Sequence, residues 1–131
     1  MSGHRFLLDT NALLRLLEPD LGSLGPQTVE YIRTASAGYY SAASIWEIMI
    51  KQAKGRLAIT ADFFDGLRKS RLRELAVTTE FVRHLDALQL DHADPFDRLI
   101  ATQASVEGIV LITTDQRLLA AAEVATLDAH S

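Results

Sequence analysis

Short aliphatic or aromatic runs recur along this chain, and segments of helical period separate them. The runs are Arg5–Leu8, Tyr39–Ser41, Leu75–Val77, Ile109–Thr113 and a weaker Val124–Leu127. The helical segments between them are Pro26–Ala37, closed by Gly38, then Ile45–Lys54, stopped at Gly55, then Ala61–Arg71, Thr79–Leu88 and Pro95–Glu107, the last closed by Gly108. Runs this short cannot be told from buried helix by periodicity alone, but their length and their Gly and Pro boundaries read as strands. Strands alternating with helices predict a mainly parallel sheet covered on both faces. The expectation is one α/β domain over residues 1–131.

Two of these runs end in a carboxylate that leads into a helix. Phe6-Leu7-Leu8 runs into Asp9, and Val110-Leu111-Ile112-Thr113-Thr114 into Asp115. In an open α/β sheet, ligands bind outside the carboxyl ends of the strands, so both acids stand where chemistry is done. Each still has a structural alternative. Asp9, Thr10 or Asn11 can cap the helix that opens at Ala12-Leu13-Leu14, and Asn11 is the expected cap or carboxylate-orienting donor.

Glu47 completes Ser44-Ile45-Trp46-Glu47, the pattern of a capping box, and Trp46 beside it reads as a core aromatic. Asp94-Pro95 reads as an N-cap followed by proline at the first helical position. Asp97 then falls in the first turn, where the helix dipole favours negative charge, and Arg98 lies four residues after Asp94, within pairing reach.

Carboxylates brought together raise one another's pKa unless a cation neutralises them. An all-oxygen set suits Mg2+ or Mn2+. The absence of cysteine excludes disulfides, thiolate catalysis and Cys-based metal sites. The histidines, His4, His84, His92 and His130, have no paired ligand spacing. Charge is unevenly placed: residues 51–73 hold seven of the thirteen Lys and Arg residues against two acids, within a chain of net charge −4. That stretch is either a solvated face or a phosphate contact beside an acidic pocket. No apolar run approaches the roughly eighteen residues of a membrane span, and the N-terminus lacks the basic-then-apolar pattern of a signal peptide. A cytoplasmic protein is expected.

Taken in order, four blocks closely resemble the PIN-domain ribonucleases, above all the VapC-type toxins of bacterial toxin–antitoxin pairs. They are Leu8-Asp9-Thr10-Asn11; Ser44-Ile45-Trp46-Glu47-Ile48 with Lys51 and Gly55-Arg56-Leu57; His92-Ala93-Asp94-Pro95-Phe96-Asp97-Arg98; and Thr113-Thr114-Asp115. The resemblance runs from about Arg5 to Leu127. It implies a PIN-like three-layer α/β/α sandwich and a Mg2+- or Mn2+-dependent endoribonuclease. It also implies inhibition by a cognate antitoxin protein and a homodimer.

Carried over block by block, the resemblance makes Asp9, Glu47, Asp97 and Asp115 the metal-site acids and Asp94 an accessory one. The mechanism expected with it has Asp9 and Asp97 hold the principal ion and Glu47 complete the pocket. Asp115 positions a second ion or water, Asn11 and Thr113 hydrogen-bond the carboxylates, and Lys51, Arg98 and the basic stretch hold flanking phosphates.

Other functions for a strand-tip aspartate fit less well. A receiver-like phosphoacceptor needs an acidic pair after the first strand and a late lysine, whereas Asp9 is followed by Thr10-Asn11 and the last lysine is Lys69. A phosphotransferase using Asp9 as nucleophile needs an acid where Asn11 stands. A PIN-fold binding or regulatory protein without nuclease activity is the remaining alternative.

Overall fold

All five strands run parallel, in the order β3-β2-β1-β4-β5. They are β1 (Arg5–Leu8), β2 (Ala37–Ser41), β3 (Arg73–Leu75), β4 (Val110–Thr113) and β5 (Thr126–Asp128) in a computed structural model that describes residues 3–88 and 94–131. His92, within the third block above, lies outside the described residues. The α-helices are α1 (Thr10–Leu17), α2 (Pro26–Arg33), α3 (Ala42–Ala53), α4 (Phe63–Lys69), α5 (Thr79–Val82), α6 (Pro95–Glu107) and α7 (Gln116–Ala120). From β1 the chain steps outward to β2 and β3, then crosses back to place β4 on the other side of β1. The crevice between the carboxyl ends of β1 and β4 is therefore the topological switch point, the place where such sheets bind ligands.

Alternation along the central strands divides the core into two layers. Leu7 and Leu111 face Ile100, Ala101 and Ala104 of α6 and Leu118 of α7. Phe6, Leu8 and Ile112 face Ala12 and Leu13 of α1, Ile48 of α3, and Phe63 and Leu67 of α4. The result is the expected three-layer sandwich. Each Leu, Ile or Phe side chain fully buried in these layers contributes about 1.5–3 kcal/mol.

Several boundaries differ from the sequence reading, for local reasons. The Pro26 helix ends at Arg33 rather than Ala37, and Gly38 is a strand residue rather than a helix stop. Gly38 lies opposite Phe6 in the β1–β2 register, and a Cβ there would meet the Phe6 ring at 2.2 Å. The third strand is Arg73–Leu75, two residues earlier than its most apolar stretch, and is paired on one side only; charged residues suit such an edge.

The Thr79–Leu88 segment splits into α5 and a 3-10 turn at Leu85–Ala87. There the His84 ring Nδ1 takes the Glu80 carbonyl at 2.7 Å, while the His84 amide donates to Phe81. A side chain that captures a helical carbonyl competes with the helix ladder.

Helix α3 begins at Ala42, capped by Ser41, whose Oγ accepts from the Ala43 amide at 3.0 Å. Ser44 and Glu47 are thus inside the helix and form no capping box. Trp46 is no core residue: it is 63% exposed.

Candidate active site

Asp9 directly follows β1 and is almost fully buried. Leu8 pairs with Ile112, so the residue level with Asp9 on the neighbouring strand is Thr113, and Asp115 stands two residues further out. Register accounts for the contact that follows: the Thr113 hydroxyl donates to Asp9 Oδ2 at 2.5 Å. The other oxygen, Oδ1, accepts from the Ala12 amide at 2.8 Å, so Asp9, not Asn11, caps α1. Burial holds the Asp9 carboxyl above its ordinary pKa; hydrogen bonds from Thr113, Ala12 and Thr114 pull it back, and the Glu47 charge pushes it up again.

Glu47 reaches the same cleft from α3, one turn inside the helix. Ser44, Glu47 and Lys51 share one face of α3 at helical spacing. Thr10 Oγ1 donates to Ser44 Oγ at 2.9 Å, a buried bond that pins the start of α1 to this face. Glu47 is 5% exposed; its Oε2 pairs with Lys51 Nζ at 2.9 Å, and its Oε1 is buried with no hydrogen-bond partner among the described residues. An unsatisfied buried carboxylate oxygen is costly, and it invites a cation.

Two more helix starts close the cleft. Asp94 caps α6, its Oδ1 accepting from the amides of Phe96 and Asp97 at 2.8 and 3.2 Å. Asp97 follows in the first turn. Asp115 caps α7, accepting from Arg117 at 2.8 Å and Leu118 at 3.2 Å, while its own amide donates to Thr113 Oγ1 at 3.0 Å. The cleft these residues line has a volume of about 590 Å³ and brings together all five predicted acids: Asp9, Glu47, Asp94, Asp97 and Asp115. Asn11 and Lys51 line it too. Asn11 Nδ2 donates to the Thr114 hydroxyl at 3.1 Å rather than to a carboxylate.

The donor set is all oxygen, with one buried oxygen unpartnered. Among the described residues no three acids or histidines converge closely enough to grip an ion unaided. Those facts together fit an ion held by one or two carboxylates with waters completing its shell, the usual habit of Mg2+.

The model of the PIN domain family matches residues 6–124. This chain belongs to the PIN domain family. No curated protein matches it in sequence. Several solved structures share the fold of this PIN domain. DNA-bound VapBC from Salmonella typhimurium is 19% identical, with a TM-score of 0.67 over 95% of this chain and 98% of that one. VapBC-1 from nontypeable Haemophilus influenzae is 20% identical, with a TM-score of 0.64 over 97% and 99%. VapBC-5 from Mycobacterium tuberculosis, a member of the VapBC family of toxin-antitoxin systems, is 18% identical, with a TM-score of 0.59 over 94% and 97%.

Arg98 and the basic stretch are placed differently from expectation. Arg98 approaches Asp86 at 4.0 Å and is not among the residues lining the cleft. Of the basic residues in 51–73, Arg68 and Lys69 pair with Asp65 on α4, and only Lys51 and Arg56 line the acidic cleft of the PIN domain. The sequence reading places Arg56 within the basic stretch and does not single it out. The signal for it is Gly55, at φ 71°. The Arg56 amide bonds Lys51 O at 2.9 Å and the Gly55 amide bonds Gln52 O at 3.0 Å, a Schellman turn that ends α3 and turns the chain back to the cleft.

Proposed function

We propose that this PIN domain is the toxin of a toxin–antitoxin pair. It acts in the cytoplasm as a Mg2+- or Mn2+-dependent endoribonuclease that hydrolyses RNA phosphodiester bonds, with residues 1–131 as its single domain. The observation that carries this reading is the buried pairing of Asp9 with Glu47 in one cleft, Glu47 Oε1 lacking a partner among the described residues. PIN domains are generally nucleases that use divalent ions. The fold shared with VapBC complexes supports a cognate antitoxin as partner. Among the described residues no helix is long and apolar enough to cross a membrane.

Asp9 and Asp97 are the residues assigned to the principal ion, and Glu47 completes the pocket through Oε1. Asp115 orients water or a second ion, and Asp94 holds the start of α6 so that Asp97 faces the cleft. Thr113 fixes the Asp9 carboxylate by its hydroxyl, and Asn11 supports the Thr114 side of the crevice. Lys51 and Arg56 stand at the rim for flanking phosphates. An ion bound there supplies charge neutralisation at the scissile phosphate and a lowered pKa for an attacking water. A homodimer, with one such cleft per protomer, is part of the same proposal.

The test is digestion of RNA with Mg2+ or Mn2+, with and without EDTA. Cleavage by the wild type is expected only with the ion, and folded Asp9→Ala and Asp97→Ala proteins are expected to be inert. Full cleavage by folded Asp97→Ala overturns the site, and cleavage undiminished by EDTA overturns the ion. No cleavage under either condition favours the alternative of a PIN-fold binding protein.

A further inference from the structure

Trp46 is the chain's single tryptophan, and it is 63% exposed. An exposed apolar side chain alone is ordinary; its surroundings here are not. Trp46 precedes Glu47 on α3 and packs edge-on against Phe96, with ring centroids 5.2 Å apart and planes at 77°. Phe96 precedes Asp97 in the first turn of α6. The aromatic pair thus bridges the two helices that bring Glu47 and Asp97 to the cleft.

Phe96 also lines a second hollow of about 370 Å³, with Ile50, Pro95, Lys54 and Arg56. This hollow shares Glu47, Lys51, Arg56 and Asp94 with the acidic cleft, so the two are continuous. Lys54 and Arg56 are exposed and make no ion pair among the described residues. An acidic cleft by itself repels a phosphate backbone, and these are the cations beside it.

We infer that Trp46 and Phe96 form a shelf on which an unpaired nucleobase stacks beside the scissile phosphate, with Lys54 and Arg56 holding the adjoining phosphates. The inference rests on the ribonuclease reading above and adds to it the surface that positions a base next to the cleft. Stacking on an aromatic face plus a cationic track is how single strands are bound without regard to sequence. Bases within an A-form duplex are stacked on each other and cannot reach such a shelf. Trp46 is on this view a positioning residue.

Because Trp46 is the only tryptophan, its fluorescence reports on the shelf directly. The experiment titrates the full chain, in EDTA so that RNA stays intact, with a mixed-sequence single-stranded oligoribonucleotide, the same RNA as a duplex, and inorganic polyphosphate. Quenching by the single strand and not by polyphosphate or duplex is expected. Trp46→Ala is expected to weaken single-strand binding at least about five-fold and, with Mg2+, to raise KM more than it lowers kcat. Trp46→Phe is expected to recover most of the loss, which separates stacking from a folding defect.

Cleavage by the wild type with unquenched fluorescence and an unchanged KM in Trp46→Ala overturns the shelf and leaves the nuclease reading standing. Failure of the wild type both to bind and to cleave RNA overturns the nuclease reading, and the shelf with it. If Trp46→Ala changes the oligomeric mass in light scattering and leaves RNA binding intact, the shelf is a protein interface and the inference is wrong.

Discussion

Thr113→Val tests the geometry of the cleft most directly, because the substitution nearly preserves shape and removes only the hydroxyl. That hydroxyl is buried, donates to Asp9 Oδ2 at 2.5 Å and accepts from the Asp115 amide at 3.0 Å. A hydrogen bond to a charged group is worth about 1.5–3 kcal/mol, and a neutral one about 1 kcal/mol. The half-buried Asp115 amide regains part of its loss from water, so the expected cost is about 2–4 kcal/mol. For a chain of this size that lowers the Tm by roughly 4 °C per kcal/mol.

The cost also depends on pH. Asp9 is already held above its ordinary pKa, chiefly by burial, and Thr113 is the strongest influence pulling it down. In the window between the unfolded and folded values the folded chain binds more protons than the unfolded one, so stability falls as pH rises through it. Removing the hydroxyl extends that window upward. The gap in Tm between wild type and variant is therefore smallest near about pH 4 and widens until Asp9 is ionised in both proteins. The acid limb of the cleavage profile moves to higher pH in the variant. Thr113→Ser is expected to behave as wild type on both counts. Circular dichroism melts without divalent ions, from acid to neutral pH, together with cleavage rates over the same range, measure both effects. A Thr113→Val protein that melts within about 2 °C of wild type at neutral pH and keeps the same acid limb refutes the argument.

The other predictions concern the ion and the sheet. Mg2+ at about a hundred times its Kd should stabilise the wild type by roughly 2.7 kcal/mol, or about 10 °C in Tm, while Glu47→Gln should fold normally yet show little of that shift and lose cleavage; equal shifts in both proteins would remove Glu47 from the ion site. Gly38→Ala drives a Cβ to 2.2 Å from the Phe6 ring and is expected to cost about 1–3 kcal/mol through overpacking, lowering the Tm by roughly 4–12 °C with cleavage per folded molecule unchanged; an unshifted melt would contradict the close approach.

The parallel sandwich was legible because β1 and β4 are buried on both faces, so their runs are continuously apolar. Edge elements were less so: β3 carries Arg73 and Glu74, and its position follows from pairing with Tyr39 and Tyr40 rather than from its own composition. Helix starts failed where a local pattern had a competitor. Ser44 to Glu47 satisfies the capping-box spacing, but Ser41 leaves β2 three residues earlier and caps first. Trp46 read as core because its type usually is; its exposure follows from the face of α3 opposite Ile48, a matter of packing that no single run of sequence records.

The acids illustrate a more general point about strand tips. Reading each of Asp9, Asp94 and Asp115 as either a cap or a ligand treats the two as rivals, yet all three are N-caps and all three line the cleft. In this fold helices start where strands end, so helix N-termini gather at the switch point and whatever caps them faces the crevice. Capping also leaves capacity. An ionised carboxylate offers about four lone-pair sites, and the Ala12 amide, Thr113 hydroxyl and Thr114 amide do not exhaust those of Asp9. These bonds hold the carboxylate still, and the capacity left over is what an ion would meet. Glu47 is different in kind, since it caps nothing and its unpartnered oxygen has no structural employment among the described residues. Its removal should therefore cost the fold little while still costing the chemistry.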